Sequence, residues 1–364
     1  MSNFYRRQRL AFELASRLLK PAYLDEGLRS GVFLVGARRI GKTTFLRNDL
    51  IPELKARGAV VVYVDLLSDS HASPSILLRA AVRQAISGLS ESLRRIVQEN
   101  KSKDESTTLG ENLAMLVDQS RTDVVLIVDE VIQATLSDEG NHMLLAMKAA
   151  RDAINTRPNT PGHFLLLGCH SQHATLNDLT MRPDQAFTGA TVLPYPLLDR
   201  DYVRHVLEHM RTDGITELPS EQAAWAGFQA LQYRPEEFLR ALRQWHSQRA
   251  IAQEPDQQFE DIVKSQMGAT ADMAALKVEQ IGELARAIFD WAAAGGGEAR
   301  AFLTNQAKMA ISTSIGRPVQ SEEMQSVVNE LTGANLISRL RLDEYIITDP
   351  VVLQIWQGWQ DWQV

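Results

Sequence analysis

Lys42 and Thr43 close the run "GARRIGKT", in which Gly36 and Gly41 are the other fixed points. The pattern G-x-x-x-x-G-K-[ST] has a mechanical reason at each of those positions. The glycines let the backbone turn tightly around a phosphate. N–H groups along Gly36, Ala37, Arg38, Arg39, Ile40, Gly41, Lys42, Thr43 and Thr44 then form an inward-facing anion nest. A helix beginning near Lys42 adds the positive end of its dipole. Lys42 would reach the β- and γ-phosphates of a nucleoside triphosphate, and the Thr43 hydroxyl would ligate Mg2+.

A phosphate loop of this kind needs a carboxylate for its metal. The stretch "DVVLIVDEVIQ" offers one: an unbroken apolar run, residues 124–128, ending in Asp129 and Glu130. Continuous hydrophobicity marks a strand buried on both faces, as in a parallel sheet. Asp129 can hold the water shell of Mg2+, and Glu130 can act as general base on the attacking water. Where a P-loop protein carries this added glutamate, a further strand lies between the P-loop strand and the Asp-Glu strand, with a polar sensor at its tip. "HFLLLGCHSQ" fits that strand, and either His170 or Ser171 could contact the γ-phosphate or the water. Taken together, His163, His170 and His173 have no clear carboxylate or cysteine partner in the sequence and read as turn residues.

Positioning these groups takes an open sheet flanked by helices. Residues 4–20 read as an amphipathic helix that stops before Pro21, with Phe4, Tyr5 and Arg6 at its start, the place where such proteins close over a base. The P-loop strand and helix follow, then a buried strand ending at Asp65. Helices fill about 74–99 and 110–120, separated by the polar tract "QENKSKDESTTLG". After the Asp129 strand come a helix near 140–156, the sensor strand and a fifth strand in "ATVLPYPLL". Strands alternating with helices predict a parallel α/β sheet with its ligand at the strand carboxyl ends. From Asp199 the pattern is helical. Three helices near 276–293, 298–312 and 320–332, then a hairpin turning at Leu342-Asp343-Glu344, predict a winged helix. The predicted divisions are a P-loop core at 1–198, a helical lid at 199–275 and a winged-helix domain at 276–364.

Composition sets bounds on the class. With 45% apolar and 23% charged residues the chain reads as an ordinary soluble protein. The single cysteine, Cys169, excludes a disulfide framework and a cysteine-built zinc site, and no run approaches a membrane span, so a cytoplasmic protein is expected. Net charge is −7, which gives no global attraction to nucleic acid, although the first segment is basic from Arg6 to Arg47. That basic segment would face the triphosphate or a nucleic-acid backbone, or else it is a solvated helix face.

The chain resembles the AAA+ and STAND signal-transduction ATPases, more narrowly the archaeal-type ATPase family related to replication initiators. The residues that carry the resemblance are Gly36 to Thr43, "VYVDL" at 62–66, Val128-Asp129-Glu130, "LLLGCHS", "AFTGATVLPYPLLDRDYV" and the closing "YIITDP". The resemblance implies ATP and Mg2+ as cofactors, slow hydrolysis to ADP and phosphate, and ATP-controlled assembly or switching. It suggests Arg182, ahead of the fifth strand, as a finger arginine and Ser171 as a sensor. The family's Gly-x-Pro lid motif stands here as Tyr233-Arg234-Pro235. Its glycine is missing, and Arg234 takes the place of the sensor arginine.

Two functions follow from different classes of partner. One is an ATPase switch whose winged helix contacts a protein or a second copy. The other is a DNA-binding ATPase of initiator or transposition-helper type. The third helix of the winged unit, with Glu322, Glu323 and Glu330 and no Lys or Arg, argues against reading duplex DNA. A nucleotide-stabilised scaffold is a third reading, disfavoured by intact Lys42, Thr43, Asp129 and Glu130. Trp356, Trp359 and Trp362 share one side of a terminal helix and serve either as interface anchors or as core.

Overall fold

In the computed structural model, residues 4–21, 28–69, 72–88, 108–170, 180, 186–215, 217–248, 254–341 and 343–361 are described. They fall into two compact units, Met1–Pro196 and Leu197–Val364.

The first unit opens with α1 (Gln8–Leu19), whose buried face is Ala11, Leu14, Ala15 and Leu18. Then come β1 (Val32–Val35) and a helical stretch, α2, over residues 42–56 that passes through a π-type turn at Leu46–Leu50. β2 (Val60–Asp65), α3 (Pro74–Ser87) and α4 (Leu109–Ser120) follow. Next are β3 (Val124–Asp129), α5 (Asp138–Asn155), β4 (Phe164–His170) and β5 (Thr191–Pro194).

The strands form one parallel sheet in the order β2-β3-β4-β1-β5. β4 therefore lies between the P-loop strand β1 and the Asp129 strand β3, as the added glutamate predicts. Both β3 and β4 are buried along their whole length, because helices cover the two faces of the sheet. One face packs Leu113, Leu116, Met143 and Met147 from α4 and α5 against β3 and β4; the other packs Leu14, Leu18, Leu50 and Leu54 from α1 and α2. Gly168 is required in β4, since a Cβ there would sit 2.4 Å from the buried Phe33 ring.

The second unit begins with α6 (Arg200–Thr212), α7 (Glu221–Ala230) and α8 (Pro235–Ser247), joined by the rings of Tyr202, Phe228 and Phe238. α9 (Pro255–Ile281) is a single helix of 27 residues and ends at Gly282 (φ 129°). It is followed by α10 (Glu283–Ala293), β6 (Arg300–Ala301), α11 (Asn305–Ile315), α12 (Ser321–Gly333), β7 (Ile337–Arg341), β8 (Glu344–Ile347) and α13 (Pro350–Asp361).

Two helix boundaries differ from expectation. The helix expected over 276–293 is two helices meeting at Gly282, because the pattern continues unbroken from Pro255 until a residue without Cβ allows the turn. The helix expected from 298 begins at Asn305, capped by Thr304, and Arg300–Ala301 instead pairs with β8 to make a three-stranded sheet. Trp356 is buried against Phe289, with ring centroids 4.7 Å apart, and donates from Nε1 to Asp290 at 2.7 Å. Trp359 is 37% exposed, and Trp362 lies outside the described residues. No described helix is long and apolar enough to cross a membrane.

Candidate nucleotide site

Three strand ends build the site. β1 delivers the loop at Gly36, whose amide donates to the His170 carbonyl at the end of β4, 3.3 Å away. A Cβ on Gly36 would meet Ile40 Cδ1 at 2.7 Å and Tyr195 Cβ at 3.2 Å, so a larger residue would press on Ile40 and on the chain after β5. Arg39 (φ 65°) and Gly41 (φ 94°) take left-handed backbone, the conformation that curls the loop before the helix begins at Lys42. The Lys42 ammonium is buried and donates to the carbonyls of Gly36 at 2.5 Å and Ala37 at 2.8 Å. Burial pulls Lys42 below its ordinary pKa, opposed chiefly by the charge of Glu130.

Thr43 and Asp129, 86 residues apart, meet directly: Thr43 Oγ1 donates to Asp129 Oδ2 at 2.8 Å. A second donor to the same oxygen is the Tyr63 phenol at 3.0 Å, brought there because β2 and β3 run in register with Asp65 beside Asp129. Burial raises the Asp129 carboxyl, while the bonds from Thr43 and Tyr63 pull it down. Tyr63 itself is pushed well up by burial and by the charge of Asp129, so it stays a phenol and a donor. The Arg47 guanidinium from α2 lies over the Tyr63 ring, 4.8 Å from its centroid, and 3.7 Å from Asp65 Oδ2.

Glu130 follows in left-handed backbone (φ 52°), which turns its side chain away from the strand direction. Its Oε2 is 3.1 Å from Nδ1 of His170. Burial pushes Glu130 up, but the hydrogen bond and charge of His170, with the charges of Lys42 and Arg38, more than reverse this. The carboxyl therefore sits below its ordinary value. His170 is thus no turn residue: it is the buried last residue of β4 and has a carboxylate partner. His163 likewise bonds Asp123, at 3.2 Å.

The structure brings Lys42, Thr43, Asp129 and Glu130 together, with Arg38 close enough to influence both Lys42 and Glu130. Ser171 and Arg182 lie outside the described residues, as does His173. In the second unit Arg234 is bonded through both terminal nitrogens to Asp349, at 2.7 and 2.9 Å. Arg6 bonds the buried Asp49 of α2 at 2.6 Å, and Phe4 is exposed. Within the basic first segment, Arg6 pairs with Asp49, Arg9 with Glu13 and Arg47 with Asp65. Tyr63 was not singled out in the sequence; its only signal there is a polar-tipped ring on a strand otherwise built of valine.

No family model matches the chain, and no curated protein does. Solved structures match over nearly its full length. The ORC2 protein of Aeropyrum pernix in its ADP form aligns over 98% of this chain and 94% of its own, at 14% identity and a TM-score of 0.56. The fold is that of this ORC2 protein. Other similar structures are the same ORC2 protein in its ADPNP–ADP complexes (15% identity, 98% and 95% coverage, TM-score 0.48) and Aeropyrum pernix ORC1 in complex with DNA (15%, 97% and 92%, 0.49). Within the parallel sheet of this chain, the loop from Gly36 to Thr44, the Asp129-Glu130 pair and His170 occupy the carboxyl ends of three neighbouring strands.

Proposed function

We propose that the chain is an ATP-binding and ATP-hydrolysing switch whose nucleotide state is coupled to a C-terminal winged-helix module that contacts a protein partner. The observation that carries the proposal is the meeting of Lys42, Thr43, Asp129 and Glu130 at strand ends in the order β2-β3-β4-β1-β5. The donor set fits a metal–triphosphate pair. Thr43 Oγ1 and Asp129 Oδ2, 2.8 Å apart, supply one hydroxyl and one carboxylate. No group of three or more His, Cys, Asp or Glu side chains gathers into a metal site among the described residues. That is the donor chemistry of Mg2+ held mostly by phosphate and water oxygens, where it offsets phosphate charge.

Lys42 is the positive charge for the β- and γ-phosphates, and the loop amides bind their oxygens. Glu130, ionised because its pKa is lowered, takes a proton from water as the water oxygen bonds to the γ-phosphorus. The bond from that phosphorus to the bridging oxygen breaks, leaving ADP and phosphate. Arg182 and Arg234 remain the candidates for a finger and a lid arginine.

In this reading the core is 1–198, the lid 199–275 and the winged-helix module 276–364. A protein partner is favoured over DNA by α12, which carries Glu322, Glu323 and Glu330 and no basic residue. DNA affinity comes largely from phosphate neutralisation, so an acidic third helix opposes it.

Lys42→Ala is expected to abolish ATP binding measured by calorimetry. Glu130→Gln should keep binding within a few-fold and lose turnover by about 10²-fold or more. Equal turnover in Glu130→Gln and the unaltered protein would refute the assignment of the base. ATP-dependent binding to duplex DNA that survives physiological salt would replace the protein partner with DNA.

A further inference from the structure

His170 stands one strand away from Glu130, and three features fix its imidazole. It ends β4 in register with Val35 of β1; its carbonyl accepts the Gly36 amide; and its side chain is buried. Nδ1 lies 3.1 Å from Glu130 Oε2. An ionised carboxylate only accepts, so Nδ1 carries the proton of this bond. Nε2 is buried and has no hydrogen-bond partner among the described residues.

We propose that His170 is a positioning residue for the general base: Nδ1 holds Oε2 of Glu130, so that Oε1 is the oxygen turned to the attacking water. The inference rests on the reading of Glu130 as base. Two further features support it. Glu130 is in left-handed backbone (φ 52°), which a non-glycine residue keeps only where its surroundings over-determine it. Oε1 receives no hydrogen bond from a described residue, whereas both oxygens of neighbouring Asp129 are bonded. One oxygen of Glu130 is anchored and the other is left for chemistry. The anchor comes from the sheet, so it does not depend on a loop becoming ordered.

The test exploits the two amides that imitate the two ring nitrogens. The side-chain nitrogen of asparagine sits near Nδ1, and that of glutamine near Nε2. His170→Ala, His170→Asn and His170→Gln are compared in full-length protein for ATP turnover and for ATP affinity by calorimetry. Loss of positioning should lower kcat of His170→Ala by about 10- to 100-fold, the range for a base displaced by about an ångström, with ATP affinity unchanged within about 2-fold. His170→Asn should recover most of kcat and His170→Gln little of it. Recovery by glutamine rather than asparagine would overturn the proposal in favour of a contact through Nε2. Equal losses of turnover and of ATP affinity in all three would reduce His170 to a structural residue. If turnover depends on Glu130 but not on His170, this inference alone fails; if it depends on neither, the reading of the site fails with it.

Discussion

Replacing Asp349 by asparagine should destabilise the second unit out of proportion to the size of the change. Asp349 does two things at once. Its Oδ1 accepts the Val351 amide at 2.9 Å, capping α13, and both its oxygens accept from Arg234. Asparagine keeps an oxygen for the cap, but it removes the charge and turns one of the two acceptors of Arg234 into a donor. Arg234 is 11% exposed and its Nε has no partner among the described residues, so a guanidinium would be left buried and uncompensated. Breaking a buried pair in this way costs about 3–5 kcal/mol; because Asp349 keeps 27% of its surface in water, about 2–4 kcal/mol is expected here. The readout is urea unfolding followed by tryptophan fluorescence. All six tryptophans lie after residue 197, so the signal reports the second unit alone. Removing the other partner as well, in Arg234→Met with Asp349→Asn, should recover part of the loss, with a coupling of about 1–3 kcal/mol. Single effects that add to within about 0.5 kcal/mol would mean that the pair is not coupled, and the reasoning from burial would be wrong.

Further outcomes follow from the same kind of reading. Tyr63→Phe removes one of two donors to Asp129 Oδ2 and should raise the Mg2+ concentration for half-maximal ATP turnover by about 10-fold. A metal titration giving the same midpoint would remove Tyr63 from the site. Trp356→Ala should cost about 3–5 kcal/mol in the fluorescence-detected transition, since it empties the space against Phe289 and removes a donor to Asp290. Trp359→Ala, at the exposed end of the pair, should cost under about 1 kcal/mol, and a larger loss would make it core too. Gly168→Ala drives a methyl into Phe33 and should destabilise the first unit by about 1–3 kcal/mol. Calorimetry should show this in a transition to which the tryptophans are silent.

The tight turn between β1 and α2 was legible because its constraint is local: its glycines, lysine and threonine lie within one short stretch of chain. The Asp129 strand was legible from unbroken hydrophobicity, which only a strand buried on both faces carries. The presence of Glu130 even predicted a strand between β1 and β3, where β4 lies. What the sequence left dark depends on register. Glu130 and His170 are 40 residues apart, and only the alignment of β4 with its neighbours brings the imidazole to the carboxylate. Tyr63 reaches Asp129 for the same reason, through β2 and β3. Arg234 and Asp349 are 115 residues apart and belong to segments that read as unrelated helices and hairpins. Arg300–Ala301 was missed because a two-residue strand carries no period of its own.

The unbroken course of α9 restricts how this protein can change over generations. Its residues pack against α7 and α8 near one end and against α10, α12 and α13 toward the other. In a helix, one residue inserted or lost rotates everything beyond it by about 100° and shifts it by about 1.5 Å. A single-codon insertion between Pro255 and Ile281 would therefore turn one set of neighbours away from the other. Length variants should be tolerated at Gly282 or before Glu254, and within the helix only in steps close to whole turns. The segments on either side of α9 are bound to one another's phase, and descendants of this chain should vary them together.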